Sequence, residues 1–153
     1  MSHINIFMRH LLNYSESNIW EVAKEEWNLD HIEWEPAENN NSCICGYSPI
    51  CELCYIKNIY NDIILLVGNV CINKFTNLSS NLIFNNIKKI SKDIEKSLNN
   101  STIEYCFNKN LINDWEYNFL YDTERKRKLT SKQYNKRVSI NKKILHFFKS
   151  GML

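Results

Sequence analysis

Five of the six cysteines in this 153-residue chain fall between positions 43 and 71, close enough in sequence to build a metal site. Zinc binds thiolate sulphur at about 2.3 Å and takes four donors in a tetrahedron. The string Cys43-Ile44-Cys45-Gly46 offers two neighbouring thiols, and Gly46 allows the chain to fold back between them. We therefore predict one structural zinc ion. Its four predicted ligands are Cys43, Cys45, Cys54 and Cys71.

Cys51 is a rival for the third ligand position, because Cys51 and Cys54 have the Cys-x-x-Cys spacing of many zinc and redox sites. We favour Cys54 because it leads directly into the predicted strand Tyr55-Ile56-Lys57. Ordinary buried thiols and a redox pair are the alternatives to zinc. Cys106 lies on a predicted helix stripe and is expected to be a core residue. The four histidines are distant from the cysteines in sequence, and we expect surface or core positions for His3, His10, His31 and His146.

The composition predicts one domain over residues 1–153, because 44% of the residues are hydrophobic and a core of useful size can form. The sequence has no apolar run of 18 residues, so we expect no membrane partner. The first residues lack a signal-peptide pattern, which predicts an intracellular, reducing compartment. Six cysteines in that setting favour metal binding or free thiols over disulfides.

The elements around the cysteines predict an α+β fold, mostly α-helical, with a zinc-bound β-hairpin of the treble-clef or zinc-ribbon kind. Two strands, 50–57 and 63–68, are joined by a turn, and a helical turn begins near Cys71. The hairpin would bring Cys54 and Cys71 side by side. We divide the chain into N-terminal helices and a short strand (1–34), the zinc knuckle and hairpin (42–76) and C-terminal helices (79–149).

Apolar spacing predicts the helices. We expect helices over 4–13 and 18–27, a strand over 29–34, a long helix over 79–98, and a last helix from about 131 to 149. Another helix between these would carry one apolar stripe: Ile103, Phe107, Leu111, Trp115 and Phe119. Three pairs have capping-box spacing: Asn18 with Glu21, Ser101 with Glu104, and Thr130 with Gln133.

The charge is unevenly distributed, since residues 122–153 carry ten Lys or Arg against two acids. A basic segment of this kind is typical of phosphate binding, and its alternative is a solvated helix face. Tyr134 is a candidate stacking residue, although its spacing to Val138 also fits core packing. The predicted nucleic-acid-binding residues are Arg125, Lys126, Arg127, Lys128, Lys132, Lys136, Arg137 and Lys143.

The chain resembles small zinc-finger-like proteins of nucleocytoplasmic giant DNA viruses, of the mimivirus kind, in short strings spread over residues 23–145. The strings are Cys43 to Gly46, Glu52 to Asn58, Val67 to Phe75, Arg125 to Gln133 and Ala23 to Leu29. The resemblance implies a zinc knuckle and a viral source, hence a location in the host cytoplasm, the viral factory or the nucleus. It implies no activity.

The function that we predict is a non-catalytic viral accessory protein that binds zinc and, through its basic C-terminal helix, DNA or RNA. The alternative is a zinc-stapled adaptor for a viral or host protein, with the tryptophans of the acidic N-terminal part as anchors: Trp20, Trp27 and Trp34. An enzyme is not expected, since residues 54–90 contain no His and Asp62 fits a turn.

Overall fold

Apolar residues recurring every two and every three to four positions produce three strands and seven α-helices in residues 2–75 and 78–148, the part that this computed structural model describes. Of Phe75 only the backbone is described. The α-helices are α1 (His3–Tyr14), α2 (Trp20–Ala23), α3 (Asn69–Phe75), α4 (Ser80–Lys92), α5 (Asn100–Asn108), α6 (Asp114–Thr123) and α7 (Ser131–Phe147). The strands are β1 (Trp27–Trp34), β2 (Glu52–Asn58) and β3 (Ile64–Gly68), and 3-10 helices lie at Lys24–Glu26 and Ala37–Asn39. The predicted α+β class is confirmed.

The three strands form one antiparallel sheet in the order β1–β2–β3, so the predicted hairpin is β2–β3. Cys54 of β2 is paired with Ile32 of β1 and with Val67 of β3. All three side chains are buried. Leu53 is paired with Gly68 and projects to the opposite face, because successive side chains of a strand alternate.

The predicted second helix, 18–27, is wrong in extent. It ends as a short 3-10 helix, since β1 already begins at Trp27. The capping box of Asn18 and Glu21 is also wrong, because Ile19 occupies the cap position and makes no side-chain cap bond. The preceding helix, α1, matches its prediction within one residue at each end.

The predicted helix 79–98 ends early, at Lys92. A carboxylate oxygen of Asp93 accepts from the backbone of Glu95 and closes a tight turn there. Asn141 and Arg137 of α7 then donate to three backbone carbonyls of the turn, those of Ile94, Glu95 and Lys96. These carbonyls are therefore bonded to another element instead of continuing the helix.

The predicted helix with a stripe from Ile103 to Phe119 is interrupted: it is replaced by α5 and α6, and Leu111 lies between the two helices. Asn99, not Ser101, caps α5, and its side chain accepts from the backbone of Thr102. The capping box of Ser101 and Glu104 is therefore wrong, and a box that we did not predict, Asn113 with Glu116, begins α6. The new register exposes 59% of Trp115.

The capping box of Thr130 and Gln133 is confirmed, and it begins α7 at Ser131. The helix ends at Phe147, and the predicted end at 149 lies outside the described residues.

The chain divides into two compact units between Asn81 and Leu82. The first contains the sheet and the cysteine-rich loop, with a core that includes Phe7, Leu11, Trp27, Ile32, Ile56 and Ile72. The second contains α5, α6 and α7, with a core that includes Phe84, Ile87, Ile103, Cys106, Ile140 and Ile144. The single domain expected over residues 1–153 stays a prediction, because it concerns whether the units fold together.

Candidate metal centre

Three of the four predicted ligands meet in the first unit. The sulphur atoms of Cys43, Cys45 and Cys71 all lie within 4.8 Å of one another, and we call this group the thiol cluster. The Cys71 thiol lies 3.5 Å from the Cys45 sulphur. Two sulphurs bound to one tetrahedral zinc ion are about 3.8 Å apart, a value that follows from the zinc–sulphur bond length. The thiol cluster could therefore hold a metal ion with small adjustments.

The loop that carries Cys43 and Cys45 is a tight turn. The backbone of Gly46 donates to the Cys43 carbonyl at 2.9 Å, and Cys43 donates to the Tyr47 carbonyl at 3.0 Å. Gly46 has a φ of +90°, a backbone conformation that other residues rarely adopt, which confirms its predicted role at this turn. Cys45 also accepts from the backbone of Tyr47 through its sulphur, at 3.4 Å.

Cys71 lies in the first turn of α3, directly after β3. The strand brings Cys43 close as well, because a Cβ built on Gly68 would lie 3.8 Å from the Cys43 Cβ. The loop with Cys43 and Cys45 therefore meets the start of α3, as the sequence predicts, whereas the predicted hairpin ligand, Cys54, does not join them. A Cβ at Gly68 would be in ordinary van der Waals contact with Cys43.

Burial dominates the electrostatics of the thiol cluster. It raises the pKa of Cys43 and of Cys71, since an apolar surrounding disfavours the thiolate. Burial acts to raise the pKa of Cys45 too, but hydrogen bonds from the Tyr47 backbone and from the neighbouring thiols lower it. A bound divalent cation would remove the remaining protons, because a coordinated thiol is deprotonated.

Cys54, the fourth predicted ligand, does not belong to the thiol cluster. It lies on the buried face of the sheet, between Ile32 and Val67, and is fully buried. The Cys43 side chain lies beside Gly68 of β3. Gly68 pairs with Leu53, whose side chain is on the opposite face of the sheet from Cys54. Burial raises the pKa of Cys54 to about 12, against a hydrogen bond with Ser80. The structure therefore brings three of the four predicted ligands together, and Cys54 is not among them.

The thiol of Cys54 adjoins a polar network that the sequence did not indicate. Ser80 donates to the Asn69 side chain at 2.7 Å, and Asn73 donates to both Asn69 and Ser80. These contacts hold the start of α4 beside α3. The other two cysteines are also separate from the cluster: Cys51 is half-buried just before β2, and Cys106 is buried in the core of the second unit, as expected.

His3 is the one histidine that contacts the cysteine-rich loop among the described residues. Its Nδ1 atom lies 2.9 Å from the carbonyl oxygen of Cys45. This hydrogen bond raises the pKa of His3, and a hydrogen bond with the Cys45 thiol acts in the same direction. The ring also meets Tyr47 edge to face, with centroids 6.0 Å apart. Our expectation that His3 is remote from the cysteines is wrong, because α1 places it beside Cys45, which is 42 residues away in sequence.

Most of the predicted nucleic-acid-binding residues are at the surface of the second unit. The basic connector, Arg125 to Lys128, lies between α6 and α7 and is exposed throughout. Lys132 is exposed in the first turn of α7. Lys136 is half-buried, with its Nζ atom 5.1 Å from the centroid of the Trp115 ring. Tyr134, the candidate stacking residue, is also half-buried.

Arg137 and Lys143 are placed differently from our prediction. Arg137 is 6% exposed and donates to the carbonyls of Glu95 and Thr123. It is therefore an interior residue, and we remove it from the phosphate-binding set. Lys143 pairs with both carboxylate oxygens of Glu116 at 2.8 Å. Burial acts to raise the pKa of Glu116, but Lys143 and the backbone of Asn113 lower it. This pairing makes Lys143 less available to a phosphate.

An aromatic pair on α6 lies beside Lys136. Trp115 stacks on Phe119 with ring centroids 5.2 Å apart and planes 9° from parallel. We call the group of Trp115, Phe119 and Lys136 the Trp115 platform. By contrast, Trp27 and Trp34 are core residues, so two of the three proposed adaptor anchors are inaccessible.

The chain matches no protein-family model, no curated protein and no solved structure. The viral resemblance of its short strings therefore stays a prediction, and function has to be argued from the residues themselves. Within the described ranges, no helix is both long and apolar enough to cross a membrane.

Proposed function

We propose that this chain is a non-catalytic zinc protein that binds single-stranded nucleic acid through its second unit. The zinc part rests on the thiol cluster, because three converging thiols provide three of the four donors of a structural zinc site. Knuckle, hairpin and helix start correspond to the plan of a treble-clef or zinc-ribbon site. The ion would join two loop residues to a helix and so stabilise the first unit.

Metal content tests the zinc part. We expect one zinc ion per chain by native mass spectrometry, with loss of metal in Cys43→Ser and Cys71→Ser. Cys54→Ser and the matched control Cys106→Ser should keep the metal, because both thiols lie outside the cluster. A wild-type chain that binds neither zinc nor cobalt would contradict the proposal.

The nucleic-acid part rests on the exposed Trp115 ring. A large aromatic side chain that is 59% exposed is costly to solvate, and bases of single strands stack on such rings. Lys136 lies beside the ring, and Lys132 is one helical turn away on the same side of α7. Base stacking and phosphate contact could therefore be made from one surface. The exposed basic connector adds four cations to the same unit.

Binding to fluorescent single-stranded DNA and RNA tests this part. Trp115→Ala should weaken binding by about 5- to 150-fold, the equivalent of about 1–3 kcal/mol for one stacked base. Trp115→Phe should retain most of the wild-type affinity. Phe147→Ala is the matched control, since Phe147 is similarly exposed in the same unit.

The salt dependence separates stacking from charge. Replacing the four basic connector residues by Ser should flatten the slope of log K against log salt by about 0.7 for each lost phosphate contact. Absence of binding at low salt would end this part of the proposal. Equal losses of affinity in Trp115→Ala and Phe147→Ala would show that the Trp115 platform is not the binding surface.

The adaptor alternative has less support, because Trp27 and Trp34 are buried in the first unit. The viral source and the location in an infected cell remain proposals that rest on the short strings quoted above.

A further inference from the structure

The thiol cluster provides three donors, whereas a closed structural zinc site takes four. A closed site therefore needs a fourth donor from a side chain that lies near the cluster. The chain offers Cys51, Cys54 and His3 as candidates within the first unit. The donor atoms of all three candidates lie outside the group formed by Cys43, Cys45 and Cys71. His3 differs from Cys51 and Cys54 in that its ring hydrogen-bonds a residue of the cluster, Cys45.

His3 is the candidate that the geometry favours. It is the first residue of α1, and that helix is fixed by the burial of Phe7 and Leu11 and by the cap Ser2. The Nδ1 atom is 2.9 Å from the carbonyl of Cys45, a residue whose own sulphur belongs to the cluster. The imidazole therefore already lies against one ligand.

The hydrogen bond itself resembles the outer contact of a metal-bound histidine. A ligating imidazole usually donates its second ring N–H to a carboxylate or backbone carbonyl, which fixes the tautomer and orients the ring. When Nδ1 of His3 carries the proton and donates to Cys45, Nε2 holds the free lone pair. Tyr47 restricts the ring further through its edge-to-face contact.

We propose that His3 is the fourth ligand, so that the metal site is Cys43, Cys45, Cys71 and His3. The site would then tie the N-terminal helix to the loop and to α3, three segments that are distant in sequence. This inference rests on the proposed zinc function, because without a bound metal His3 has nothing to ligate. The original four-thiolate site becomes a three-thiolate, one-imidazole site.

Cobalt(II) spectroscopy of the full chain tests the ligand set, because thiolate-to-cobalt charge-transfer intensity and the ligand-field bands both respond to the number of sulphur donors. We expect a three-sulphur spectrum for wild type. His3→Cys should raise the charge-transfer intensity by about one third and move the bands to those of a four-sulphur site, since each coordinated thiolate contributes its own transition. His3→Ala should shift the bands and weaken zinc binding at least tenfold.

His10→Ala is the matched control, since His10 is on the same helix and should leave spectrum and affinity unchanged. A His3→Ala chain with weaker binding but unchanged bands would make His3 an orienting residue and overturn the inference. A four-sulphur wild-type spectrum that loses one sulphur in Cys51→Ser or Cys54→Ser would overturn it as well. In both cases wild type still binds metal, so the proposed zinc function would stand. If wild type binds no metal, the proposed function and the inference both fail.

Discussion

At the scale of single residues, Glu26 shows how a buried carboxylate can organise a chain segment. Its oxygens accept from the backbones of Glu16 and Ser17 and from the Asn58 side chain, at 2.8 to 2.9 Å. The side chain is 2% exposed, and three partners offset the cost of burying its charge. Burial acts to raise the pKa of Glu26, but these hydrogen bonds lower it.

Glu26→Ala should lower the free energy of unfolding by about 2 kcal/mol, because two backbone N–H groups and the Asn58 amide lose a charged acceptor. A depressed pKa in the folded state gives stability that is present above the unfolded pKa of about 4.3 and is lost as pH falls through the folded value. The difference between wild type and Glu26→Gln should therefore shrink on acidification. Urea unfolding at several pH values measures it.

Glu25→Ala is the control for this experiment, since Glu25 is the neighbouring residue and is exposed. A loss of stability in Glu25→Ala equal to that in Glu26→Ala would contradict the role given to the buried carboxylate. So would a Glu26→Gln difference that grows as the solution becomes more acidic.

At the scale of elements, helix starts in this chain are decided by which polar side chain reaches the free backbone N–H groups. Asn99 caps α5 and also donates to the carbonyl of Leu82, so one side chain ties the helix start to α4. Glu104, the expected partner of Ser101, instead accepts from Tyr117 and Tyr121 of α6. Glu104 is therefore engaged with α6 and not with the backbone of Ser101.

Asn99→Ala should destabilise the protein by about 1 kcal/mol or more, because it removes the cap and the bond to Leu82. Ser101→Ala should change the unfolding free energy by less than about 0.5 kcal/mol, since Ala is the better helix former and no cap bond is lost. Chemical denaturation of both variants measures the difference. A larger loss in Ser101→Ala would restore the cap that the sequence first suggested.

At the scale of the whole molecule, the thiol cluster, which is the proposed metal site, belongs to one of two compact units. A metal that binds only the folded state stabilises that state, and the stabilisation grows with the ratio of metal concentration to dissociation constant. The site joins Cys43 and Cys45 to α3, so its loss should act first on the hairpin and on that helix.

Chelation should therefore lower the melting temperature of the first unit. Hydrogen exchange should show lost protection in β2, β3 and α3 within minutes of chelator addition, while amides of α5, α6 and α7 keep theirs. Cys71→Ser should reproduce the pattern without chelator, and Cys106→Ser should not. Parallel loss of protection in both units would mean that the chain unfolds as the single cooperative domain expected from its composition.

The sequence by itself predicted the α+β class, the hairpin, the last helix and three ligands of the thiol cluster. These features follow from local information: alternating apolar residues, a capping box at Thr130, and a glycine beside two cysteines. The basic connector likewise depends on neighbours along the chain.

Only the tertiary structure decided the position of Cys54, the exposure of Trp115, the burial of Arg137 and the approach of His3 to Cys45. Each depends on a contact between residues far apart in sequence. Strand pairing decides the face on which Cys54 lies, the turn after α4 recruits Arg137, and the register of α6 decides which side of Trp115 meets solvent. A linear pattern does not contain these distances, because they arise from how the elements pack.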